Sequence, residues 1–93
     1  MKMNEYNRSV ASDVLVAIAG LGEGSKSFAE VEGALQGALA RFDSDGSGVH
    51  NAVRAAETDL EAIQFTRRLE EQRPAVIARL DELRAFIETA SDA

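Results

Sequence analysis

The chain has 93 residues with no Cys and one His, and it carries a net charge of −6. A chain of this size suits one small domain, residues 1–93, with a modest core, and the missing Cys excludes both a disulfide framework and the usual zinc sites. The acidic balance argues against nucleic acid as a partner, because phosphate binding rewards a basic face. A hydrophobic content of 45% excludes a disordered tail.

The first apolar run is Val14-Leu15-Val16-Ala17-Ile18-Ala19, far short of the ~18–20 residues of a membrane span. Ser12 and Asp13 precede it, three glycines follow, and Glu5 offsets the weak basic start of Lys2 and Arg8. This is not a Sec signal, so the expected location is the cytoplasm, or outside it by another export route.

The first arm reads as helix. Val10, Val14, Ala17, Leu21, Phe28, Val31, Leu35, Ala38 and Phe42 keep one heptad phase, with only Gly24 failing its slot. Leu15, Ile18 and Leu39 widen the stripe, as a buried bundle helix requires. Gly20, Gly22 and Gly24 crowd into five residues, and Gly costs ~1 kcal/mol relative to Ala in a helix interior. Ser27-Phe28-Ala29-Glu30 then matches a capping box. The arm therefore reads as two helices, about 5–20 and 28–42, broken near Gly22, although the preserved phase also permits one long helix.

A central turn is expected at Asp43-Ser44-Asp45-Gly46-Ser47-Gly48, the densest group of turn formers in the chain. With the helix before it, this segment also matches the first half of an EF-hand loop. Asp43, Asp45 and Ser47 would supply oxygens and Gly48 the tight turn. The second half differs: His50 stands where an apolar residue belongs, and Arg54 where the bidentate Glu belongs. The simpler reading is a hairpin turn, with Gly46 or Gly48 at positive φ and Ser47 capping the next helix. His50 itself reads as a cap-region residue, because it has no partner acid at sequence level.

The second arm carries two stripes. Val49, Val53, Ala56, Leu60 and Ile63 form one; Val76, Leu80, Leu83, Ile87 and Ala90 form the other, slipped by one residue. Phe65 and Leu69 are expected to bridge them, and Pro74 to break or kink the helix near 72–74. Arg67–Glu71 and Arg84–Glu88 are spaced for i,i+4 pairing, which makes this a solvated, ion-paired face. Gly33 and Gly37 match a close helix crossing equally well as an incidental surface pair.

The architecture that follows is all-α: an antiparallel helical hairpin turning at 43–48. Each arm's stripe is broader than one hairpin can bury, so dimerisation is expected to complete a four-helix bundle. The residues assigned to that partner interface are Val10, Val14, Ala17, Leu21, Phe28, Val31, Leu35, Phe42, Val53, Leu60, Leu80, Leu83 and Ile87. The partner is a second copy or a related helical chain, with no nucleic acid, membrane span, metal or cofactor. Gly20-x-Gly22-x-Gly24 lacks the spacing and the preceding strand of a dinucleotide loop.

A hairpin of this length with a central Gly turn, no Cys and an Ala-rich seam resembles the small helical substrates of type VII secretion. Gly46-Ser47-Gly48 stands where that family has Trp-x-Gly. Phe86-Ile87-Glu88-Thr89-Ala90-Ser91-Asp92 stands near the position of its Tyr-x-x-x-Asp/Glu export signal. The resemblance implies a homo- or heterodimeric bundle acting as a secreted partner or adaptor, without enzymatic activity. The expected function is thus a non-enzymatic helical interaction protein. The alternatives are a calcium-responsive module at 43–48 and a small cytoplasmic regulatory or phage accessory subunit.

Overall fold

The computed structural model describes residues 3–92; Met1, Lys2 and Ala93 lie outside the described residues, and with them the Lys2 of the basic start. The described chain is all-helical, with four helices in sequence: α1 (Glu5–Glu23), α2 (Phe28–Leu39), α3 (Val49–Thr66) and α4 (Leu69–Asp92). α1 packs on α2, α2 on α3, α3 on α4, and α4 back on α1. The body measures 38 × 24 × 21 Å, as expected for a bundle whose longest helix, 24 residues, spans roughly 36 Å at 1.5 Å per residue.

α1 begins at Asn4, whose side chain accepts from the Asn7 backbone N–H at 2.7 Å. That bond satisfies one of the free donors of the first turn. The glycine cluster does break the first arm, but later than its centre. Gly20 and Gly22 stay helical, and Gly24 ends α1 at φ 84. The Gly20 carbonyl then accepts from both Ser25 N–H (2.9 Å) and Lys26 N–H (3.1 Å), which closes the helix end. Ser27 and Glu30 form both halves of the capping box at 3.2 and 3.0 Å. Those bonds, the backbone N–H of Ser27 first, hold the Glu30 carboxyl below its usual range. α2 stops at Leu39, so Phe42 belongs to the connection and not to the helix.

The break in the second arm is not at Pro74. Arg67 is extended (φ −108, ψ 148) and separates α3 from α4, while Pro74 lies inside α4. Proline there orphans only the Glu70 carbonyl, one turn from the start of the helix. Both residues are solvent-exposed, so water can take that bond. Because the chain turns at Arg67, the Arg67–Glu71 spacing is no longer helical, and among the described residues that pair does not form. Arg84–Glu88 does, at 3.0 Å.

The core is the two sequence stripes folded together. Val10, Val14, Ala17, Leu21, Val31, Leu35 and Ala38 pack against Val49, Val53, Ala56, Leu60, Val76, Leu80, Leu83 and Ile87, all buried. Phe28 and Phe42 are half-buried against the same cluster. The thirteen residues assigned to a partner interface lie inside or against the core of this chain. Both arms break, so one chain supplies four helices. Gly33 and Gly37 face open space, with no neighbour within 4 Å of a notional Cβ, so they mark no helix crossing.

Candidate functional site

The bundle has two ends of opposite character. At one end, the connection between α2 and α3 meets the start of α1 and the last turn of α4. Asn7 organises this end. It is fully buried and bonds the backbone of Asp43 twice: its Nδ2–H donates to the Asp43 carbonyl (2.7 Å) and its Oδ1 accepts from the Asp43 N–H (2.8 Å). The amide thereby satisfies the loop as a neighbouring strand would.

Asp45 ties the same loop from the other side. Its carboxylate accepts from Asn4 N–H (2.9 Å), Ser47 N–H (2.9 Å) and the Ser47 hydroxyl (2.6 Å). Partial burial alone would raise its pKa. The Ser47 hydroxyl, the two backbone N–H groups and the Asn7 amide outweigh that effect and hold the carboxyl far below the usual range. Gly46 and Gly48 take positive φ, 82 and 80, and Ser47 Oγ accepts from Val49 N–H at 3.3 Å. Of the groups picked out for calcium, the Asp45 carboxylate and the Ser47 hydroxyl are therefore used in holding the turn, and Asp43 holds it through its backbone. An ion at this loop would compete with three donors for the Asp45 oxygens.

Asp43 is exposed, and half-buried His50 lines a depression of about 470 Å³ with Phe42 and Asn51. Among the described residues, no three His, Cys, Asp or Glu side chains are grouped to hold a metal ion. No helix among them is long and apolar enough to cross a membrane.

The other end is built around the two breaks. α3 closes with Thr66 Oγ1–H bonded to the Ala62 carbonyl (2.7 Å) and Arg67 N–H to the Ile63 carbonyl (3.0 Å), and the extended backbone of Arg67 then turns the chain. The Gln72 amide then donates to the Arg67 carbonyl at 3.1 Å. This corner leaves Phe65 86% exposed and Leu69 82% exposed. Neither bridges the two stripes as the periodicity suggests. Leu69 is one wall of a groove of about 360 Å³ that Leu21, Phe28, Ala29 and Val76 also line, with the polar Glu32, Gln64, Gln72 and Arg73. Arg73 also donates to the Leu21 carbonyl at 3.0 Å, so its charge sits favourably at the C-terminus of α1.

No protein-family model, curated protein or solved structure matches this chain.

Charges are segregated along the α2–α3 face: Glu32 and Glu61 lie toward this end and Glu57 at the middle of α3. The Glu61 carboxyl is raised, first by a hydrogen bond shared with Glu57, then by that group's charge, with smaller contributions from desolvation and Glu32. Only neutral donors reach the group: Gln36 bonds Glu57 (3.2 Å) and Gln64 bonds Glu32 (2.9 Å). Arg67 and Arg68 stand on the corner itself. Among the described residues, neither they nor the three glutamates take part in an ion pair. Sequence reasoning missed this site because it counted Phe65 and Leu69 as core.

Proposed function

We propose that this protein is a non-enzymatic helical interaction module that binds another helical chain through the end carrying Phe65 and Leu69. The observation that supports the reading is the exposure of two large apolar side chains on one corner, of which Leu69 lines an open, largely apolar groove. Exposed apolar residues are ordinary when scattered singly. Two on one short corner, one of them lining a groove with charged residues, are typical of a contact surface. The groove has the character of sites that take the apolar face of a helix. The polar end of the bundle, by contrast, has its best-placed groups occupied in holding the turn.

The test is photo-cross-linking in the native host. A photoreactive amino acid replaces Phe65 or Leu69, with Arg54 on the exposed side of α3 as the control position. The expected result is an adduct at positions 65 and 69, absent at 54, whose partner is identified by mass spectrometry. A secretion component as partner points to an adaptor or substrate role, and a cytoplasmic regulator to a regulatory subunit. Equal labelling at all three positions, or none, overturns the reading.

A further inference from the structure

We infer that the occupant of this end is a second copy of the same chain, paired about a twofold axis so that each Phe65 enters the other's groove. The inference rests on the reading above and adds the identity of the partner. It is carried by charge. Near this end Glu32 lines the groove and Glu61 stands on the last turns of α3, neither in an ion pair among the described residues, while Arg67 and Arg68 on the corner have no carboxylate partner there. Crowding by Glu57 raises the Glu61 carboxyl, a cost that an incoming cation removes.

A surface with both signs flanking one apolar pair is complementary to itself. Twofold pairing brings each half of the patch against the other half on the partner. Phe65 and the arginines are two residues apart, so a Phe65 seated in the partner's groove carries Arg67 and Arg68 to Glu32, which lines it. Glu70 and Glu71, close in sequence, occupy the first turn of α4, where they favour its N-terminus. A contact limited to an end face of about 24 by 21 Å falls short of the ~800 Å² per partner of a stable pair. The association is therefore reversible and depends on concentration.

The experiment is light scattering on the full chain across a dilution series, with two charge-reversal variants. One is R67E/R68E and the other E32K/E61K; all four positions are outside the core, so helicity and melting serve as folding controls. Wild type is expected to move from twice the 10.0 kDa chain mass toward the monomer on dilution. Each variant alone is expected to stay monomeric at every concentration, because both of its twofold-related contacts turn repulsive. Mixed in equal amounts, the two are expected to recover the dimer, since one contact is then native and the other reversed on both sides.

A wild type that remains monomeric at the highest concentration overturns the self-pairing, as does a dimer that survives both reversals or a mixture that fails to pair. In any of these cases, cross-linking to a different helical protein through position 65 still supports the docking surface. Loss of that labelling as well removes both.

Discussion

Asn7 offers the sharpest test of how the fold is held. Replacing it with Ala removes two bonds to the Asp43 backbone, at 2.7 and 2.8 Å. Each is worth about 1 kcal/mol net, and a part-buried backbone group left unpaired adds to that, so Asn7→Ala is expected to cost about 2–3 kcal/mol. For a chain of this size the melting temperature should fall by about 10–20 °C. Asn7→Asp is nearly isosteric and separates hydrogen bonding from shape. At neutral pH the carboxylate still accepts from Asp43 N–H but cannot donate to the Asp43 carbonyl. It also places a buried negative charge close to the half-buried Asp45 carboxylate, so its deficit should exceed that of Ala.

Burial and the Asp45 charge both raise the pKa of the introduced acid in the folded state. Its deficit is then full above that raised pKa and shrinks as pH falls toward the unfolded value. The protonated acid can again donate to the carbonyl. Thermal melts by circular dichroism at pH 7 and near pH 4.5 measure both effects. Two variants melting with wild type, or an Asp variant more stable than the Ala variant at pH 7, would refute this account of the loop.

Three further outcomes are expected. Gly33→Ala with Gly37→Ala should raise stability by about 1–2 kcal/mol in urea unfolding, because both positions are helical and nothing lies near the added methyl groups. Asp45→Asn should flatten the acid limb of a stability–pH curve. The depressed wild-type carboxyl contributes stability above its unfolded pKa that is lost as pH falls through the folded value, so wild-type urea midpoints should drop below about pH 4 more steeply than those of the variant. Leu35→Ala and Leu80→Ala, both buried to about 1% exposure or less, should each cost about 2–5 kcal/mol. That is a large share of the ~5–14 kcal/mol total of a chain this long, and the denaturant midpoint reads it directly.

The helical stripes were legible because burial in a bundle repeats at the helical period, and nearly every stripe residue from Val10 to Ile87 faces the core. The Ser27 capping box was legible for the same local reason. What the periodicity could not say is how many helices one chain supplies. Stripe width alone does not say whether a second copy or a fold-back of each arm covers the stripe, and here each arm breaks and its stripe is buried within one chain. The corner at Arg67 has neither Gly nor Pro to announce it, and Pro74 drew the expected break to itself.

Asn7 could have been found. Met3 and Asn7 extend the Val10 stripe backwards in phase, and a polar residue in a buried slot calls for a bonding partner. The candidate contact surface was not legible, because an apolar residue at a corner is counted as core by any rule that sees only spacing.

The contact between the start of α1 and the last turn of α4 has a topological consequence. Met3 N–H bonds the Ala90 carbonyl at 3.4 Å, and Arg8 reaches the Ser91 carbonyl at 3.1 Å. With each helix touching the next and the last touching the first, the order of helices is a closed cycle whose starting point is arbitrary. A circular permutant of residues 3–92 that joins the end of α4 to the start of α1 through a short flexible segment and opens between Arg67 and Arg68 should therefore rebuild the same bundle from a different first helix.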